Sequence, residues 1–207
     1  MQIDTRTQQT VAGVLRATRM WRRGANADGS GEWLGRLPEG WFVFHDVPLG
    51  ERGARVDHLV IGPGGVFTLN TKDLSGAIRV NARSVAHDGR RTSFLAKASA
   101  EALRAASLLT AALGRPVQVR GLLAILADEW IVKRLPDDVY VGGPASVKHW
   151  MLQQPPVLRP SDVIVLVATA SDATTWAPSL ERGSSAMVPG REALAKADAP
   201  DPRGDRV

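Results

Sequence analysis

Residues 57–72 read DHLVIGPGGVFTLNTK. Two apolar runs, 56–61 and 66–69, are joined by Gly62-Pro63-Gly64-Gly65. Short β-branched runs on either side of a Gly-Pro cluster are the sequence form of a β-hairpin. With residues 62–65 as the loop, Ile61 faces Val66, Leu59 faces Thr68, Asp57 faces Asn70 and Arg55 faces Lys72. Strand side chains alternate with period two. Asp57, Asn70 and Lys72 therefore project from one face, at the end far from the turn. Val56, His58, Val60, Phe67 and Leu69 fall on the other. A slip of one residue would undo this grouping. Both faces are largely apolar, as in a central strand pair covered on both sides. A charge on such a strand is costly unless it is paired or opens onto a cleft. Asp57 and Lys72 thus mark either a solvated sheet edge or a site.

Working outward, residues 41–47 read as a strand before the hairpin, and residues 76–80 and 84–86 as short strands after it, with Asn81-Ala82-Arg83 as the turn between them. Asp88-Gly89-Arg90-Arg91 reads as a basic loop. Residues 93–113 form the clearest helix: Leu95, Ala98, Ala102, Ala106, Leu109 and Leu113 recur at steps of three and four, with Lys97, Glu101 and Arg104 on the other side. Gly114 and Pro116 close it. Residues 117–127 and 139–141 read as strands and 145–153 as a helix. Residues 163–170 stay open between strand, from their β-branched content, and helix, from Ser161-Asp162 ahead of them. Residues 5–23 read as a helix leading to the 24–31 loop, and 31–37 as a short helix. From Ser184 onward the composition is that of a disordered tail. The organisation expected is an N-terminal helix and loop (1–28), one domain (29–183) and a tail (184–207). Strands, one long helix, then strands make a mixed α/β domain.

Composition narrows the classes. The chain has 207 residues, enough for one ordinary domain, and 44% hydrophobic content, which is globular. It has no cysteine, so thiolate metal sites, thiol nucleophiles and disulfide frameworks are excluded. No apolar run is long enough to cross a membrane, and the first residues lack the order of a signal peptide. A cytoplasmic location without membrane contact is expected. The net charge of +5, dominated by arginine, is compatible with phosphate partners without demanding them.

Other chemistries fit poorly. The Gly-Pro-Gly-Gly stretch lacks the Gly-Lys-Ser/Thr ending of a phosphate loop. His45, His58, His87 and His149 show no metal-ligand spacing; His58 reads as a core histidine with a hydrogen-bond partner. No Gly-x-Ser-x-Gly elbow occurs. Trp33, Trp41 and Trp130 adjoin apolar runs and read as packing residues rather than base-stacking platforms.

The residues 57–67, followed by Thr71-Lys72 and Gly76, resemble the core motif of the NERD family, the nuclease-related domain. Gly31-Glu32 and the strand containing His45-Asp46-Val47 resemble that family's first half, so the likeness runs over about residues 29–127. It implies a restriction-endonuclease-like fold, a mixed β-sheet flanked by helices. It also implies hydrolysis of DNA phosphodiester bonds with Mg²⁺ or Mn²⁺, a hard cation that takes oxygen ligands. By resemblance, Asp57 matches the metal-binding aspartate, Lys72 the catalytic lysine and Glu32 the helix acid. Asn70 stands where the family places a glutamate. An amide offers a metal an oxygen but no charge. Either Glu101 on the long helix, or Glu32 with Asp57, is then needed to complete the metal ligands. Arg83, Arg90 and Arg91, in loops after the hairpin, are candidates for contacts to the nucleic-acid backbone. Three outcomes stay open: a metal-dependent deoxyribonuclease, a pseudo-nuclease that binds DNA without cutting it, and a protein-interaction module on the same scaffold.

Overall fold

The computed structural model describes Leu34, residues 37–50 and residues 53–177. The expectations for residues 1–28, for most of the short 31–37 helix including Glu32, and for the tail lie outside the described residues.

Three strands come first: β1 (Phe42–Pro48), β2 (Arg55–Gly62) and β3 (Gly65–Asp73). They form antiparallel pairs, β1 with β2 and β2 with β3. The hairpin turn is tighter than the sequence suggests. Gly62 pairs with Gly65, and Pro63-Gly64 alone makes the turn. The register is unchanged, with Ile61 opposite Val66 and Leu59 opposite Thr68. Gly62 is required by close approach, because a Cβ there would collide with the indole of Trp41. Trp41 in turn stacks on Phe67, ring centroids 6.1 Å apart, as a packing residue does.

Beyond β3 the chain makes β4 (Ala77–Asn81), β5 (Ser84–His87) and β6 (Arg90–Arg91). The basic loop expected at 88–91 is instead a hairpin. Asp88 and Gly89, with φ of 47° and 78°, form its two-residue turn. Asp-Gly suits a turn that needs two positive φ values.

Helix α1 (Phe94–Leu113) crosses back to β7 (Val119–Leu126), which lies parallel to β3. Strands β8 (Glu129–Val132) and β9 (Val139–Gly142), and helices α2 (Pro144–Leu152), α3 (Pro160–Ser171) and α4 (Ala173–Trp176), complete the described chain. The ambiguous 163–170 segment is helical. Pro160 sits in its first turn, and Val163, Leu166, Val167 and Ala170 are buried. A one-sided apolar stripe packed on a core overrides β-branched propensity.

The larger sheet has the mixed order β1-β2-β3-β7-β9. One of its faces packs Phe44, Leu59 and Ile61 against α1, α3 and the buried Trp176. The other packs Val60, Phe67, Leu69 and Leu122 against Val147 and Met151 of α2. Val56 departs from the expected face: it packs with Leu59 and Ile61, because the pairing of β1 with β2 is irregular between the His45–His58 and Val47–Val56 pairs. A smaller sheet, β6-β5-β4-β8, continues from the β3/β7 pair. The two parallel pairs are joined through residues 74–76 and 127–128, where Leu74 N–H bonds Leu126 O and Glu129 N–H bonds Gly76 O. The small sheet packs Ile78, Val80 and Val85 against Leu95, Ala98 and Ile125. A mixed sheet flanked by helices on both faces is consistent with the restriction-endonuclease-like α/β fold.

Candidate active site

The β2–β3 ladder stops at His58–Leu69, whereas β3 stays paired with β7 as far as Asp73. Asp57 is the first residue of β2 beyond that ladder. Its Oδ2 accepts the backbone N–H of Thr71 at 2.8 Å, so the carboxylate takes the place a neighbouring carbonyl would have filled. The pairing of β1 with β2 also lapses here: Asp46 and Asp57 fall between two paired rows. Asp46 has a left-handed φ of 51°, infrequent for a non-glycine residue. The guanidinium of Arg55 holds it by donating to both the side chain and the carbonyl of Asp46.

Lys72 places Nζ 3.8 Å from Asp57 Oδ2, and both side chains are partly exposed. Two residues back on the same face of β3, Asn70 is buried, and its Nδ2 donates to Glu101 Oε2 at 2.6 Å. Glu101 does not lie on the solvated side of the long helix. It is 6% exposed, in line with Ala98, Ala102 and Ala105 against the sheet. Burial of a carboxylate needs compensation. Asn70 supplies one charge-assisted bond, and Lys97, one turn earlier on α1, brings Nζ to 3.6 Å from Oε1. That ammonium lies just beyond hydrogen-bond range, so Glu101 Oε1 and Asn70 Oδ1 are both buried without a hydrogen bond. Each unmet buried group costs about 1–3 kcal/mol.

The opposite face of the strands holds a second polar layer. His45 Nδ1 and His58 Nδ1 are 2.8 Å apart, with the rings perpendicular. One nitrogen must donate and the other accept, so at least one Nδ1 is unprotonated. His58 Nε2 lies 3.5 Å from Thr71 Oγ1. Thr71 therefore ties this buried pair to the Asp57 carboxylate through the strand, and His58 is the partnered core histidine its sequence setting suggests.

The structure thus brings together Asp57 with Lys72 and Asn70 with Glu101. Arg83 lies elsewhere, in the β4–β5 turn, and Arg90 and Arg91 form β6 at the edge of the small sheet; all three are exposed. Lys97 was not singled out from the sequence, although its i,i+4 spacing from Glu101 was the available signal.

Residues 30–126 match the family model of NERD, the nuclease-related domain. The chain carries a nuclease-related domain. The match spans β1 to β7 and takes in Asp57, Asn70, Lys72 and Glu101; β8, β9 and α2–α4 follow it. No curated protein and no solved structure matches the chain. Among the described residues, no group of three or more His, Asp or Glu side chains is placed to hold a metal, and no helix is long and apolar enough to cross a membrane.

The donor chemistry nonetheless fits a hard divalent cation. The acceptor atoms of this region are oxygens, and two of them, Asn70 Oδ1 and Glu101 Oε1, are buried without a hydrogen bond. The charge is lean: two carboxylates face two ammonium groups, where a glutamate at position 70 would have added a third anion.

Proposed function

We propose that this nuclease-related domain binds DNA and hydrolyses its phosphodiester bonds with Mg²⁺ or Mn²⁺, slowly because Asn70 replaces a charged ligand. The observation that carries the reading is the buried pair Asn70 Oδ1 and Glu101 Oε1, neither hydrogen-bonded, beside the strand whose Lys72 ammonium lies 3.8 Å from Asp57. Asp57 and Glu101 would hold the ion, with Asn70 as a neutral oxygen ligand. Glu32 is the further acid by resemblance. The bound metal supplies an activated water and neutralises charge on the phosphate. Lys72 supplies a fixed ammonium for negative charge that develops during displacement. Of the arginines after the hairpin, Arg91 would contact the backbone. The absence of cysteine supports a reducing, cytoplasmic setting.

A second reading is supported by the 2.6 Å bond from Asn70 to Glu101 and by Lys97 beside the same carboxylate. These contacts hold Glu101 in place without a metal, as suits a domain that binds DNA without cutting it. The deciding experiment is a nuclease assay with Mg²⁺ and with Mn²⁺ on wild type, Asp57→Ala and Lys72→Ala. Cleavage lost in both variants supports the active reading. Cleavage unaffected by either removes these residues from the site. DNA binding without cleavage favours the second reading, and no DNA binding leaves a protein-interaction role.

A further inference from the structure

The small sheet has one face in the core and one in solvent. Ile78, Val80 and Val85 are fully buried, while Arg79 between them is exposed. Pairing carries this alternation across all four strands. Arg91, Ala86, Arg79 and Ile131 lie opposite one another on β6, β5, β4 and β8. They form a single row on the outer face. Lys133, whose N–H continues the ladder to Val80 O, falls on that side two residues beyond Ile131. Arg83, in the β4–β5 turn, lines a hollow with Leu95, Ser99 and Leu103 of α1 and with Asp138, and so lies toward the helix side. Arg90, in the His87–Ile78 row, belongs to the other side.

Among the described residues none of Arg79, Arg91 and Lys133 makes an ion pair, although five other Lys and Arg side chains do. The acids nearest this row are engaged elsewhere. Asp88 accepts Ala77 N–H and Asp128 accepts Gly76 N–H, both at the hinge. Glu129, opposite Ala77, is the acid that alternation places on this face. A surface with three unpaired cations, two of them Arg, and one carboxylate complements a polyanion. Arg79 and Arg91 are two strands apart, roughly 10 Å, a span suited to successive backbone phosphates rather than to a single small anion. The sheet is also the direct extension of β3, which carries Lys72 five residues before β4 begins.

We infer that the outer face of the small sheet is a nucleic-acid backbone surface, built on Arg79, Arg91 and Lys133. The inference rests on the nucleic-acid reading proposed above and adds the face that does the holding. Its contacts are to phosphates and carry no base preference.

The test is DNA affinity as a function of salt for the full chain and for Arg79→Gln/Arg91→Gln/Lys133→Gln. A control, Arg115→Gln/Arg159→Gln, removes charge near the opposite, hairpin-turn end of the larger sheet. The dependence of log K on log[salt] is expected to lose about 2–3 in slope in the triple variant, from three lost contacts at roughly 0.9 each, with affinity falling at least about tenfold. The control is expected to stay near wild type. All substituted side chains are exposed apart from their stems, so an unchanged thermal midpoint verifies the fold. A triple variant with wild-type slope, or a control that falls equally, overturns this surface while leaving the nucleic-acid reading intact. A wild type that binds no nucleic acid at any salt overturns both.

Discussion

Asn70 on β3 donates its amide N–H to the buried carboxylate of Glu101 on α1 across 2.6 Å. Asn70, which stands where the resemblance leads one to expect a glutamate, is therefore a structural partner of Glu101. An amide can donate to a carboxylate where a glutamate could only repel it, so the substitution stabilises the metal-free domain while lowering the charge available to a cation. If the domain cleaves with a metal, as proposed above, stability and catalysis make opposite demands on this position.

Restoring the carboxylate tests that opposition. Asn70→Glu removes the bond to Glu101 and buries two like charges together, which is expected to lower stability by about 2–4 kcal/mol without metal. Divalent metal should recover much of that loss by binding the native state alone. Thermal unfolding with and without Mg²⁺ reads both effects, and cleavage is expected to rise by about tenfold or more. A variant that Mg²⁺ neither stabilises nor activates would show that the missing carboxylate is not what limits the site.

Glu101 separates the two roles by a milder change. In Glu101→Gln the side-chain oxygen still accepts from Asn70, and the charge that had to be desolvated is gone. Stability by urea denaturation is expected to stay within about 1 kcal/mol of wild type or to rise. Glu101→Ala leaves the Asn70 amide wholly unpaired in the core and should cost about 2–3 kcal/mol. Metal-dependent cleavage is expected to fall in both. Cleavage retained in Glu101→Gln would exclude this carboxylate as a metal ligand.

How far these features could be read in advance depended on the range of the interaction that fixes them. The hairpin was legible because alternation and a Gly-Pro turn are local. Its register survived a wrong turn length, since tightening the loop symmetrically from 62–65 to 63–64 leaves the same residues opposite. Glu101 was misplaced for the opposite reason. Helical periodicity assigns a glutamate to the polar stripe, and its burial is set by an amide 31 residues earlier in the chain. Strand β8 escaped notice because Glu-Trp-Ile-Val is short, partly exposed and defined by parallel pairing with the distant β4. The Asp-Gly turn at 88–89 is local and legible, but β6 is only two exposed arginines long and is defined by its pairing with β5.

The tight hairpin gives a prediction about the fold alone. Gly62 lies against the face of the Trp41 indole, and Trp41 is stacked on Phe67. Gly62→Ala forces the indole or the strand to move, at about 1–3 kcal/mol. A lowered urea midpoint with a changed near-ultraviolet tryptophan signal is expected. Trp41→Leu in the same background should recover part of the loss by giving the methyl group room. No recovery would place the strain in the turn backbone instead.

Asp57 and Lys72 face each other at 3.8 Å with both side chains partly exposed, so the attraction between them contributes little, about 0–1 kcal/mol. Lys72→Ala is therefore expected to leave stability within about 1 kcal/mol of wild type while abolishing metal-dependent cleavage. Asp57 carries more structure, because its carboxylate also satisfies Thr71 N–H. Asp57→Ala should cost about 1–3 kcal/mol, whereas Asp57→Asn keeps an acceptor for that N–H and should cost less. If the carboxylate serves a metal, both Asp57 variants lose cleavage alike despite their different stabilities. If it serves only to close the ladder, cleavage follows stability and Asp57→Asn stays active. Paired unfolding and nuclease measurements on the three variants distinguish a site from a strand-end cap.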